Sequence, residues 1–245
     1  MQENYHVGAY WGVRKETALE CARRAEIFYH MLARCDPSFA QWYRSGRGAP
    51  RELPGHPVRP EVKELEGLFR RRRIRTDLDK EVIEDLGFQQ IVWNAKEEQT
   101  RIQIHCGDYS PWGSGNVCLL YPPRSGAVKE RLLRVPVLTG ILTSMATAWD
   151  PDFAVATSPE MVDVVEKRER EVRVGWLTYL SHRLGEVPAL PEPVRVEPVG
   201  TLGTLLILSP ERMTASDPEH VALTARVREL LDRAGLIERP APEPG

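Results

Sequence analysis

The stretch from Tyr5 to Leu32, where a strand-like run gives way to a helical period, constrains this chain most. Val7 to Trp11 mixes β-branched, aromatic and small residues, which suits a short buried strand. Gly12 supplies a turn. Apolar residues then recur at Ala18, Cys21, Ala22, Ala25, Phe28, Tyr29 and Leu32. Those offsets place both aromatics on one helix face and leave Arg23, Arg24 and Arg34 largely off it. Asp36-Pro37 ends the helix, because proline cannot continue it. A strand feeding a long amphipathic helix is the nucleus of an α+β core, and nothing in it looks catalytic.

The rest of the chain extends that reading. Phe39 and Trp42-Tyr43 fold back on the first helix, and Arg44 to Pro60, rich in Gly, Pro and Arg, reads as a long surface loop. A charged helix starts near Glu61 with Val62, Leu65, Leu68 and Phe69 as its buried stripe. Thr76 or Asp77 is placed to cap another, with Leu78, Val82, Ile83 and Leu86 inward and Gly87 at its end. Phe88 to Trp93, Arg101 to His105 and Val117 to Tyr121 read as three strands of an antiparallel meander. They are linked by the polar turn Asn94 to Thr100 and the glycine-rich loop Gly107 to Asn116.

Leu138, Ile141, Leu142, Met145 and Trp149 mark a strongly apolar helix. It is followed by a strand from Phe153 to Thr157 and a helix start at Ser158-Pro159-Glu160. Val172 to Leu180 and Thr201 to Leu208 are further strand candidates, joined through a proline-rich connection from Val187 to Pro193. Ser209-Pro210-Glu211 repeats the helix-start signal. The last helix has Asp217 as cap, with Leu223, Val227, Leu230, Leu231 and Ala234 inward and Gly235 as stop. The expected class is α+β, a mainly antiparallel sheet packed against amphipathic helices. It forms one domain over 1–237, followed by a disordered tail over 238–245. The echoes Asp36-Pro-Ser-Phe39 and Asp150-Pro-Asp-Phe153 permit two similar halves, about 1–122 and 123–237. Asp-Pro is common punctuation, and chance explains the echo better.

Composition removes several function classes. A formal net charge of −2 lacks the basic signature of a nucleic-acid binder. No apolar run is long enough to span a bilayer, and the polar start is not a secretion signal, so a cytoplasmic protein is the simplest reading. Cys21, Cys35, Cys106 and Cys118 have no zinc-site or redox spacing, and the scattered histidines suggest no metal cluster.

His105-Cys106 with Asp108 and Tyr109 comes nearest to an active site. Adjacent residues on a strand point to opposite faces, so His105 and Cys106 do not meet easily, and a strand end followed by a polar loop is the better reading. A small hydrolase or transferase with a site in His105 to Asn116 remains the alternative. The loop is no P-loop, since Asn116 runs into a strand instead of a Lys-Ser or Lys-Thr pair opening a helix. It holds Asp108, Tyr109 and Trp112. Aromatics of this kind bury much area with few rotatable bonds, so Trp112 is either an interface anchor or a core residue. Arg70 to Arg73 is followed at once by Asp77, Asp79, Glu81, Glu84 and Asp85, the pattern of a solvated face with internal ion pairs. The charge run Glu166 to Glu171 reads the same way. The acidic stretch could also present carboxylates to a basic, phosphate-binding surface.

Gly8-Ala-Tyr-Trp-Gly-Val-Arg-Lys-Glu16, the helix after it and Trp42 resemble the immunity protein 52 family of bacterial polymorphic toxin systems. The resemblance continues through Trp112-Gly113, Gly175-Trp176-Leu-Thr-Tyr-Leu180 and Asp217-Pro-Glu-His220 to Leu236, and so covers most of the chain. It implies an α+β, non-enzymatic, cytoplasmic protein without cofactor or metal. Such a protein binds and neutralises a cognate nuclease toxin of restriction-endonuclease-like fold, by stoichiometric occlusion, with no direct contact to nucleic acid or membrane. The family carries no catalytic residues to transfer. The candidate toxin contacts are Asp77, Asp79, Glu81, Asp85, Asp108, Tyr109 and Trp112.

Overall fold

A computed structural model describes residues 3–44, 55–94, 97–112, 115–166 and 171–238. The first strand, β1 (His6–Trp11), feeds α1 (Ala18–Leu32). Thr17 caps that helix by accepting from the Glu20 N–H, while the Glu20 carboxylate accepts from the Thr17 N–H at 2.7 Å, a reciprocal capping box. Then follow β2 (Trp42–Arg44), β3 (His56–Val58), α2 (Val62–Arg71), β4 (Phe88–Trp93), β5 (Arg101–Cys106) and β6 (Asn116–Tyr121). The second part of the chain adds α3 (Ala127–Leu132), α4 (Val135–Trp149), β7 (Phe153–Thr157), α5 (Pro159–Val165), β8 (Leu177–Ser181), β9 (Arg195–Val199), β10 (Gly203–Ile207) and α6 (Pro218–Arg233).

The strands form one sheet in the order β3-β2-β4-β5-β6-β1-β7-β8-β10-β9, every neighbouring pair antiparallel. The protein is therefore α+β with an antiparallel sheet. Both edge strands carry a proline, Pro57 and Pro198, which removes a ladder donor where further pairing would begin.

Alternation along β1 divides the molecule. Val7, Ala9 and Trp11 are buried on the side of α4, where Trp11 stacks on Trp149 with ring centroids 5.5 Å apart. Phe28 of α1 meets Trp149 edge-on, and Tyr29 packs against Trp42. Phe39 and Trp42 thus fold back toward the first helix as expected. The last carbonyls of α4 lack helical partners, and arginines supply them. Arg14 donates to Trp149 O at 2.8 Å, Arg24 to Ala148 O at 3.1 Å, and Arg183 to Asp150 O at 3.0 Å.

Among the described residues the opposite face is covered only in part. β7 and β8 are buried on both sides. The chain near Gly175 crosses the second face of β7 so closely that a Cβ there would lie 2.7 Å from Val155 Cγ2. That crossing segment is tied to the end of the chain by Val172 N–H to Ile237 O at 2.8 Å and by a buried ion pair between Arg228 and Glu171.

Several expectations are corrected. Residues 72–87 form no α-helix; they make a short antiparallel arm ending in a 3-10 turn at Glu84–Leu86. Part of the expected surface loop is β3, while 45–54 lies outside the described residues. β8 starts at Leu177, because 172–176 crosses β7 instead of pairing. No helix follows Ser209-Pro210-Glu211, and Ala234 is exposed. The strand β9 and the helix α3 were not anticipated. The two Asp-Pro-x-Phe segments differ in backbone: Asp36 is extended at φ −156° and Asp150 left-handed at φ +47°. The expected tail beyond Glu238, the middle of the charge run (167–170) and part of the turn after β4 (95–96) lie outside the described residues.

Trp149→Ala is expected to lower the unfolding free energy by about 3–5 kcal/mol, measured by denaturant titration. Asp36 supplies a pH test. Burial alone would raise its pKa, but hydrogen bonds from Arg131 at 2.5 and 3.0 Å and from the Ser38 N–H at 2.9 Å hold it below the usual carboxylate value. A depressed folded pKa stabilises above the unfolded value of about 3.9 and fades as pH falls through the folded one. The stability gap between the wild type and Asp36→Asn should be full at pH 7 and shrink below about pH 4.

Candidate functional site

Three segments meet at one end of the sheet, and glycine makes the junction possible. β5 ends at Cys106, and Gly107 turns the chain at φ +73°. Beside it Gly87, at φ +65°, passes so near that a Cβ would sit 2.4 Å from Cys106 O. The loop is then held by side-chain amide and carboxylate hydrogen bonds. Asp108 N–H donates to Asn116 Oδ1 at 2.8 Å, and Asn116 Nδ2 donates to Asp108 O at 3.0 Å and to Gly12 O at 2.7 Å. Ser110 N–H donates to Asp108 Oδ1 at 3.0 Å, a local turn closed by the carboxylate. Arg14 N–H reaches Asp108 O at 2.8 Å.

The same loop is fastened to the arm. Tyr109 and Ser110 both donate their N–H to Asp85 O, at 2.9 and 3.1 Å. The arm pairs Arg73 with Phe88 and Arg75 with Val82, and Thr76 N–H closes on Glu81 O at 2.9 Å. Its tip, Asp77-Leu-Asp-Lys80, turns through Lys80 at φ +60°. The Asp79 carboxylate accepts from the Thr76 hydroxyl and from the Glu81 N–H, which together hold its pKa below the ordinary value. Of the arginine run, Arg70 pairs with Glu66 at 2.6 Å and Arg73 lies 3.8 Å from Glu84, the internal pairing expected of a solvated face.

The sequence-selected residues therefore divide. Asp77, Asp79 and Glu81 are exposed on the arm, Asp85 is half-buried at its base, Tyr109 is half-buried under Lys15 Nζ at 4.8 Å, and Trp112 is 92% exposed. Trp112 is not a core residue. Asp108 is fully buried, so it shapes the loop from within and presents no carboxylate at the surface. Leu78, expected to face a core, is 98% exposed at the tip. Sequence reasoning passed over it because its spacing to Val82 fits a helix. Its place between two aspartates, in a Thr-Asp-Leu-Asp-Lys run, is the signal of a turn.

The alternative chemistry is poorly assembled. His105 and Cys106 point to opposite faces, and a His105 ring nitrogen is hydrogen-bonded to Leu86 O at 2.7 Å. Burial pushes the Cys106 thiol well above its usual pKa, against thiolate formation. Among the described residues no group of three or more His, Cys, Asp or Glu is placed to hold a metal, and no helix is long and apolar enough to cross a membrane.

Asn116→Ala should leave the buried Asp108 N–H unpaired and remove the tie from the loop to Gly12 O. A loss of about 1–3 kcal/mol is expected, with faster amide exchange at Asp108 to Ser110 than in β4. Unchanged exchange in that loop would show that Asn116 is not its clamp.

The solved structure of "Pseudomonas aeruginosa T6SS protein PA0821" has a similar fold, with TM-score 0.54 and 13% identity, covering 95% of this chain and 72% of that one. No curated protein matches the sequence. The family model for Immunity protein 52 matches residues 3–240, nearly the whole chain, and the protein belongs to that family.

Proposed function

We propose that this immunity protein neutralises a cognate nuclease toxin, of restriction-endonuclease-like fold, by forming a stoichiometric complex in the cytoplasm that occludes the active site or substrate groove. The observation that carries the contact surface is the exposure of Leu78 and Trp112. They are the most exposed large apolar side chains among the described residues, and they sit on two segments fastened together through Asp85 O. Around Leu78 stand Asp77, Asp79 and Glu81. Apolar anchors amid carboxylates suit a basic surface built to hold phosphate: the anchors supply buried area, and the charges supply steering and register. Tyr109 extends the apolar part, and Asp108 holds the loop from beneath.

The enzyme reading is less well supported: His105 Nε2 lies 4.0 Å from Asp108 Oδ2 but is already hydrogen-bonded to Leu86 O, and Cys106 points to the opposite face. Co-expression with the product of the adjacent gene tests the main proposal. Rescue of growth and co-purification of a tight complex are expected; toxicity without rescue, and no complex, would sink it. Reversing charge at Asp77, Asp79 and Asp85 together should weaken binding more at low salt than at high salt, since exposed charges are screened within about 10 Å at 0.1 M. Affinity unchanged from wild type at both salts would remove the arm from the interface.

A further inference from the structure

Among the described residues the second face of β4, β5, β6 and β1 is only partly covered, and β6 is apolar along all of it, where β4 mixes Gln89 with Ile91 and Trp93. A strand with one solvated face should place polar residues outward. β6 instead turns Val117, Leu119 and Tyr121 outward, all half-buried, while Cys118 and Leu120 fill the opposite core. On β1 the same face carries Tyr10 and His6, and Tyr10 and Leu119 both lean over Gly8, where an added Cβ would lie 2.7 Å from Tyr10 Oη and 2.8 Å from Leu119 Cδ2. Two clefts of about 640 and 390 Å³ adjoin along this seam and share His6, Tyr121 and Pro159.

The rim is positive. Arg101 lies over the Tyr121 ring at 4.2 Å, and neither Arg101 nor Arg124 has a carboxylate partner among the described residues. Glu98, on the same rim, keeps its negative charge but is turned to the Val128 N–H at 2.6 Å, so two guanidinium groups stand against one carboxylate. Arg173 stacks over Tyr10 at 5.3 Å and pairs with Glu166 at 3.3 Å. Burial, and then Arg173, lower the His6 pKa to about 4, so the cationic character at neutral pH comes from the guanidinium groups alone.

We infer that this groove receives an acidic, apolar segment of the toxin, an inference that rests on the proposed function. Three observations select that occupant. The seam follows a six-residue strand and is about 20 Å long, the reach of an extended peptide of similar length. Its apolar floor, with Arg101 and Arg124 lacking a carboxylate partner among the described residues, suits alternating apolar and carboxylate side chains, since a guanidinium fork can bind a carboxylate in bidentate fashion. Its far end is lined by Gly115 and Asn116, which belong to the loop carrying Trp112, so a partner seated on the arm and Trp112 runs on into the groove. A second copy of this chain would bring the same positive rim against itself.

The test titrates a catalytically inactivated toxin from the neighbouring gene into wild type, into Arg101→Glu/Arg124→Glu and into Arg124→Glu alone. Arg124 is exposed, so the single variant keeps the test intact if the double variant misfolds. With circular dichroism and thermal midpoint unchanged, the variants should bind about tenfold or more weakly, with a smaller salt dependence than wild type. Wild-type affinity in a folded variant overturns the groove and leaves the proposed function standing. Failure of the wild type itself to bind overturns the proposed function, and the groove with it. Wild-type self-association abolished by the substitutions in sedimentation would assign the face to a second copy and overturn the toxin segment.

Discussion

The two faces of β1 make different demands, and the rest of the structure answers them. Val7, Ala9 and Trp11 require a helical layer, which α1 and α4 provide through the Trp11–Trp149 stack. His6, Gly8 and Tyr10 face the other way, where Arg173 lies over Tyr10 and the described cover becomes full only at β7. A central strand hydrogen-bonded on both sides cannot slip register without exchanging these faces, so Trp11 fixes which side the helices occupy. The arginines at the end of α4 carry that order to the site. Arg14 binds Trp149 O through its side chain and Asp108 O through its backbone N–H, joining the core helix to the loop of Tyr109 and Trp112.

Rigid support beneath exposed side chains is the physical theme at the site. A binding surface loses less free energy to ordering when its loops are already held. Here Asp108, Asn116 and Asp85 O satisfy backbone groups of the loop, and the arm is laced by its own hydrogen bonds. Leu78 and Trp112 then stand out on braced backbone. The immunity role follows from family membership, and the solved bacterial secretion-system protein adds a likeness of fold alone.

The strongly periodic elements were legible from sequence because one residue pattern served one environment. α1, α2, α4, the β4-β5-β6 meander and β7 all fall where their patterns place them. The arm was misread because Leu78, Val82, Ile83 and Leu86 imitate a helical stripe. Thr and Asp compete for local backbone groups, Val82 and Ile83 are β-branched, and Thr76 N–H bonds Glu81 O across a turn instead of a helical partner. β9 reads as loop because Arg195-Val-Glu-Pro-Val199 is half polar and holds a proline, both tolerable only at a sheet edge. Gly175 illustrates a different limit: its need for close approach depends on β7, far away in sequence. At the candidate site, residue types drew attention to two segments that the structure fastens together through Asp85 O. Which side chains reach solvent depended on tertiary hydrogen bonds, as the buried Asp108 and exposed Leu78 show.

Hydrogen exchange of the free protein against its complex with the inactivated toxin tests the central claim most directly. Slower exchange is predicted in the arm from Arg73 to Asp85 and in the loop from Asp108 to Trp112, with α6 unchanged. Protection confined to α6 and the β9–β10 hairpin, with the arm and loop exchanging as in the free protein, would contradict the account.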